Sequence, residues 1–383
     1  MKKKSVTSSC HIPADKKASL INAINSNKHL LTTKKVTAGF DGFIDTIVKI
    51  IKKKHPHKVP SFFSTIKEFG NYIVAKEGTS FSLELGEQNI KPGGNMPIMA
   101  NAMGQLGIPV NCVGALGYPY PHPVFKNFSS NCQLYSFADP GTSTAYEFTD
   151  GKIMLAQMGE LNTIEWEKIK TIISIDTMTR LYQESDMICL LNWSEIDAST
   201  NIWKGLLKDV LPTYSNKAGK QIAFFDLSDC SKRSDTSIME ALELLQEFAK
   251  YTKVILSLNK NEARVIYQAL YNKSTKKDLF PIGKKIIEKL PIQTLVLHSA
   301  REAMAFSNDD YVMGDSFFTD EPKISTGAGD NFNAGFCAAQ LMELDIESSI
   351  ILANAVSGCY VRKGTSVQLT DIIDFLETIP TSD

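Results

Sequence analysis

An α/β protein with a mostly parallel central sheet is what the sequence predicts, and three observations predict it. Short apolar runs of strand length recur along the chain, separated by windows in which apolar residues return at helical spacing. An Asp-Gly pair flanked by β-formers interrupts that alternation and marks a hairpin apart from the parallel body. A chain of 383 residues, 43% hydrophobic and 22% charged, also has enough apolar material for a large core and is not disordered.

Residues 1–34 form a polar, lysine-rich lead with one short helix expected over 14–25. VTAGFDGFIDTIV (36–48) reads as one buried strand interrupted by glycines and two aspartates, Asp41 and Asp45. Phe62, Ile66, Phe69 and Ile73 are spaced for an amphipathic helix within 62–75. Further strands are expected at 110–116, 187–191, 222–227, 254–258 and 294–297, with helices near 199–210, 236–250, 260–270 and 282–290. FSLELGEQNI (81–90) and STAYEFTDGKIMLAQMG (143–159) have strand composition instead, and Asp150-Gly151 supplies the turn of a small antiparallel flap.

Composition narrows the function. With 41 basic and 42 acidic residues the net charge is −1, which argues against a nucleic-acid binder and leaves small molecules or proteins as partners. Seven scattered cysteines with no C-x-x-C pair argue for buried free thiols over a disulfide framework or structural zinc. No run approaches ~18 apolar residues, and Asp15, Lys16 and Lys17 interrupt any signal-peptide pattern, so a cytoplasmic protein without a membrane span is expected.

The segment ISTGAGDNFNAGFCAAQLM (324–342) carries the strongest chemistry. Gly327 and Gly329 open a turn directly before a helix with Phe332, Phe336 and Ala339 on one face. Small residues there let backbone N–H groups meet a phosphoryl oxygen. Asp330, on the first turn, would repel a static anion, and taking a proton from an attacking hydroxyl gives it a use. An Asp in that position also suits a plain helix cap. A dinucleotide fingerprint fails because Phe332 stands where the third glycine belongs, and no G-x-x-x-x-G-K-[ST] occurs.

T-G-A-G-D-N-F-N-A-G-F resembles the C-terminal signature of the PfkB/ribokinase-like carbohydrate kinases. KPGGNMPIMANAMGQLGIPVNCVGALG (91–117) resembles their N-terminal signature, and Asn259-Lys260-Asn261-Glu262 their N-x-x-E motif. The resemblance spans residues 36–378 and leaves 1–35 as a basic extension. It implies a ribokinase-like three-layer α/β/α sandwich with a small β lid drawn from about 81–90 and 143–159. The implied activity is ATP-dependent phosphorylation of a hydroxyl on a sugar or related alcohol. By position, Asp330 would be the general base, and the amides of Thr326, Gly327, Ala328 and Gly329 the anion hole. Asn259 and Glu262 would organise Mg2+; Asp45, Gly93, Gly94 and Asn95 would hold the substrate. Ser299, Arg301 and Asn354 would lie on the nucleotide side. Lids in this family often pair between subunits, which leans toward a homodimer.

Four positions depart from the pattern. Ile98 replaces a second sugar-contacting Asn, for which Asn101 one turn later could substitute. Ile324 replaces the Asp that opens the second signature, weakening the expectation of a monovalent-cation loop. Ser299 and Glu302 replace nucleotide-loop glycines, and Glu302 brings a negative charge toward the polyphosphate. Asp41 suits a substrate contact or a turn equally, and Asp226, Asn192 and Trp193 are candidates for the same cleft at their strand ends. Lys52–Lys54 with His55 and His57 read as a solvated surface turn, and His298 as a packed structural histidine. The alternatives to a sugar kinase are a non-catalytic sugar or nucleotide sensor on this fold, and a nucleoside or vitamin kinase.

Overall fold

Strand Met187–Leu191 is buried at all five positions, which requires a cover on both faces of its sheet. Alternate residues divide between two cores: Ile188 and Leu190 face one apolar cluster, while Met187, Cys189 and Leu191 face the other. The same two-residue period separates Ala223 and Phe225 from Phe224, and Leu295 and Leu297 from Val296. Helices complete each layer. Those from Trp166–Ile173 through Leu279–Lys289 cover the first face; Ala14–Asn27, Asn95–Gln105, Ala328–Leu341, Ile346–Lys363 and Leu369–Thr378 cover the second. This computed structural model describes residues 12–214, 220–307 and 310–382.

The central sheet has nine strands in the order Tyr311–Asp315, Glu302–Phe306, Thr294–His298, Lys253–Asn259, Ile222–Asp226, Met187–Leu191, Val36–Phe40, Val110–Gly114 and Cys132–Ser136. All neighbours are parallel except the first two strands, which form an antiparallel edge. A five-stranded lid stands apart. Phe43–His55 pairs antiparallel with Leu85–Gly93 and Lys58–Phe62, and parallel with Gly141–Phe148, which returns as the hairpin strand Gly151–Gln157.

The expected single strand 36–48 is therefore two. The chain leaves the central sheet after Phe40 and enters the lid at Phe43. At the bend Gly42 passes so close to the next strand that a Cβ would lie 2.0 Å from the Ala115 carbonyl oxygen. Lys52 to His55 end the lid strand rather than forming a turn; the turn comes at Pro56-His57, and these side chains remain mostly solvated, as a lid edge allows. The helix expected within 62–75 is confined to Ile66–Val74, because the Thr65 side chain caps it by accepting from the Glu68 amide at 3.1 Å. Of the lysine-rich lead, Ala14–Asn27 forms a helix that buries Leu20 and Ile24 in the second core; its first eleven residues, including Cys10, lie outside the described ones. The six described cysteines are free. Among the described residues no helix is long and apolar enough to cross a membrane.

Candidate active site

Parallel strands deliver their C-terminal ends to one edge, and the nominated residues gather there. Asp41 follows Val36–Phe40, Asp226 ends Ile222–Asp226, Asn259 ends Lys253–Asn259, and His298 ends Thr294–His298.

Asp41 is fully buried. Its carboxylate accepts from the amides of Asn95 and Met96, both at 2.8 Å, and from Asn192 Nδ2 at 2.6 Å. It thus anchors the start of helix Asn95–Gln105 and the Gly93-Gly94 turn before it. Gly94 has φ +91°, and a Cβ there would sit 2.5 Å from Asp41 Oδ2. Asp45, on the lid strand, accepts from Ser143 Oγ at 2.6 Å. A Cβ on Gly93 would lie 2.2 Å from Asp45 Oδ1. The two glycines let the loop pass between the aspartates.

Gly327, with φ +85°, turns the chain into helix Ala328–Leu341 and places Asp330 on its first turn. The Ala328 amide donates to the Ser325 carbonyl at 3.3 Å. Of the nominated loop amides, those of Thr326, Gly327 and Gly329 have no protein acceptor among the described residues. A turn-forming amide cannot serve an anion as well, so Ala328 is set apart from its neighbours.

Carboxylates crowd this point. Loss of solvation holds the Asp330 carboxyl well above the usual carboxylate range, and the charges of Asp226, Asp41 and Glu262 push it further. Burial likewise raises Glu262 well above its ordinary value, helped by Asp226. Burial raises Asp41 and Asp226 to about 6. Asp226 is held by the Ser228 amide and by Asn333 Nδ2, which donates at 2.7 Å. Asn259 and Glu262 form a capping box at the start of helix Lys260–Tyr271: Asn259 Oδ1 accepts from the Glu262 amide at 3.1 Å, and the Glu262 carboxylate accepts from the Asn259 amide at 2.8 Å.

Two cavities flank the 322–326 loop. One, about 420 Å3, is lined by Asn259, His298, Ser299, Phe318, Gly329 and Asn354. The other, about 490 Å3, lies under the lid and is lined by Asp45, Lys91, Glu147, Lys152, Ile324 and Thr326. His298 stacks on Phe332 with ring centroids 4.8 Å apart, and burial pushes it down to about 4, so it is neutral. Asn354 Nδ2 donates to the Asp315 carbonyl at 3.2 Å.

Some nominated residues stand elsewhere. Arg301 is exposed and stacks its guanidinium 4.1 Å from the Phe318 ring centroid, outside the cavity lining. Ser299 does line the cavity, but its hydroxyl is occupied in the turn to Glu302, whose amide donates to it at 3.2 Å; Glu302 itself pairs with Asp315 at the sheet edge. Asn101 accepts the Ser129 amide at 2.9 Å and so is tied away from the cleft. Trp193 is core, covered by Arg233 at 5.1 Å from its ring.

Sequence reasoning passed over Lys91 and Lys152. They face the lid cavity from two strands separated by Phe43–His55 and Gly141–Phe148, Lys91 opposite Asp45 and Lys152 opposite Glu147 in register. Neither side chain makes an ion pair or hydrogen bond among the described residues. Burial lowers both, while Asp45 and Glu147 act in the opposite sense. Lys91 was visible as the residue before Pro92-Gly93-Gly94; Lys152 has no motif to mark it.

A cleft with an acid at a glycine-led helix start, between two cavities, is matched along nearly the whole chain by the family model for prokaryotic ketohexokinase, over residues 15–379. The chain belongs to the prokaryotic ketohexokinase family. It is a sugar kinase, a phosphotransferase with an alcohol acceptor. Ketohexokinase from Haloferax volcanii is 26% identical over 335 residues, 86% of this chain and 88% of that relative. Ribokinase from Thermotoga maritima superposes with a TM-score of 0.62 at 16% identity, covering 90% of this chain and 99% of that one. The Methanocaldococcus jannaschii nucleoside kinase gives 0.58 at 15%, over 90% and 98%. Those two likenesses establish the ribokinase-like fold, and the family match places the chain with carbohydrate kinases rather than with binding-only relatives.

Proposed function

We propose that this sugar kinase transfers the γ-phosphoryl group of ATP to a hydroxyl of a ketohexose, with Asp330 as the general base. The acceptor hydroxyl gives its proton to Asp330 as its oxygen bonds to phosphorus, and the bond from phosphorus to the ADP oxygen breaks. The observation that carries the reading is Asp330 itself, on the first turn of a helix whose leading loop lines both cavities, Thr326 the one under the lid and Gly329 the nucleotide-side one. A carboxyl raised by lost solvation and by neighbouring charges is a stronger base than an ordinary one once ionised. The free amides of Gly327 and Gly329 serve the transferring group, and Asp45, fixed by Ser143, holds a sugar hydroxyl. The adenine lies in the cavity bounded by Phe318 and Asn354.

Magnesium fits these residues as a hydrated ion. Among the described residues no three His, Cys, Asp or Glu side chains gather into a metal cage. Asp226, Glu262 and Asp330 nevertheless crowd together with no cation paired to them there. Glu262, oriented by Asn259, would hold the ion through its waters. The bound ion supplies positive charge against the polyphosphate.

ADP release from magnesium-ATP, measured across ketohexoses, aldohexoses, pentoses and nucleosides, tests the substrate. A ketohexose is expected to give the highest kcat/KM, and a nucleoside in that place would overturn the reading. Gly93→Ala is a sharper probe of Asp45, since its Cβ would meet Asp45 Oδ1 at 2.2 Å. Losing one charged hydrogen bond to the sugar costs about 1.5–3 kcal/mol, so the sugar KM rises roughly 10–100-fold while the ATP KM holds. An unchanged sugar KM would remove Asp45 from the pocket.

A further inference from the structure

We infer that Tyr360 and Ser357 are positioning residues for phosphoryl transfer: their hydroxyls fix the two peptide planes whose N–H groups, Gly327 and Gly329, face the transferring phosphoryl. The inference rests on the transfer reading above and adds the residues that set its anion loop.

A peptide plane carries its C=O and its N–H on opposite sides, so a donor that holds the carbonyl also aims the following amide. Tyr360 Oη donates to the Thr326 carbonyl at 2.7 Å and thereby fixes the Gly327 amide. Ser357 Oγ donates to the Ala328 carbonyl at 2.9 Å and fixes the Gly329 amide. The plane between them is held by Asn331, whose Nδ2 and backbone amide donate to the Gly327 carbonyl at 2.8 and 3.0 Å; its own N–H, that of Ala328, is used within the turn. Of the three loop amides without a protein acceptor among the described residues, two, those of Gly327 and Gly329, are thus aimed from the neighbouring helix.

Both hydroxyls come from helix Ile346–Lys363 at i, i+3 spacing, which puts them on one face against the loop. Tyr360 is 5% exposed, and a Cβ on Gly327 would lie 2.9 Å from its phenolic oxygen. The phenol and the glycine therefore fit as a pair. Burial and the charge of Asp330 raise the phenol above its ordinary value, so it stays a donor wherever the enzyme works. An anion hole acts on charge that develops in the transition state, and donors that cannot reorient cost nothing to align at that moment.

Tyr360→Phe keeps the ring and removes the donor. Its kcat should fall roughly 10–100-fold, with both KM values within about twofold of the parent and an unchanged melting temperature. Binding of aluminium fluoride with ADP and sugar, a planar phosphoryl mimic, should weaken by the same factor while ADP alone binds as before. Ser357→Ala should move the same way, and Ser357→Thr, which keeps the hydroxyl, should restore the parent's rate. A Tyr360→Phe kcat within twofold of the parent, or a loss confined to KM with the mimic still bound tightly, would overturn the inference. So would a parent whose turnover needs potassium while Tyr360→Phe responds identically, because a cation would then be holding the loop. Asp330→Asn separates the two readings. If it is inactive and Tyr360→Phe is normal, the positioning role alone fails; if it turns over normally, the transfer reading fails with it.

Discussion

Asp330→Asn is expected to fold like the parent and to lose about 10²–10⁴ of its kcat, the range a well-placed general base contributes. Asparagine keeps the shape of the side chain and its place on the first turn of Ala328–Leu341 but accepts no proton. Sugar and ATP should still bind, so the loss belongs in kcat. The pH profile makes the assignment stricter. A base works only when ionised, and the Asp330 carboxyl is held well above its ordinary 3.8, first by lost solvation and then by Asp226, Asp41 and Glu262. Turnover of the parent should therefore fall on the acid side at a pH well above that of an ordinary aspartate. The residual rate of the variant should lack that limb. ADP release followed across pH for both proteins checks this, and equal kcat in the two would remove Asp330 from the proton's path.

The central sheet was legible because its strands are buried on both faces, so each reads as a short apolar run between amphipathic helices. The lid was not legible in full. Phe43–His55 changes from buried to solvated along its length, and its lysines resemble a loop. Nothing periodic marks Asp41-Gly42, where the chain passes from one sheet to the other; that exchange depends on the approach to Ala115. The outermost strand of the antiparallel edge was missed for a related reason, since Tyr311–Asp315 alternates exposed and half-buried residues at the rim.

The site divides along the same physical line. Asp330, Gly327, Asn259 and Glu262 act through local backbone geometry, so short motifs carry them. Tyr360 and Ser357 act across helices, about thirty residues from the carbonyls they hold, and no spacing rule connects them to the GAGD turn. Asn101 shows the opposite failure. One helical turn places it near Ile98, but the Ser129 amide captures its oxygen, and that partner is visible only in three dimensions.

The same carboxylates make stability depend on pH in a direction opposite to that of a salt-bridged acid. Asp41 and Asp226 rise from 3.8 to about 6 on folding, so the folded chain binds more protons than the unfolded chain between those values. The stability they contribute is complete below pH 3.8 and is lost as pH rises through about 6. For Asp41 alone the shift corresponds to about 3 kcal/mol. Glu262 and Asp330 extend the loss to higher pH. Two results follow for the metal-free protein. Asp330→Asn should melt above the parent at alkaline pH, and the difference should shrink as pH falls and the parent's carboxyl takes up its proton. Magnesium should raise the parent's melting temperature more near pH 8 than near pH 5, because it has charge to offset only when these groups are ionised. Calorimetry at both pH values, with and without magnesium, measures the pair. A gain in Asp330→Asn of the same size at both pH values would mean that packing, not charge, is responsible. The expected pattern would instead make inactivity and added stability two consequences of removing one poorly solvated charge, the kind of conflict that an active site tolerates and a core does not.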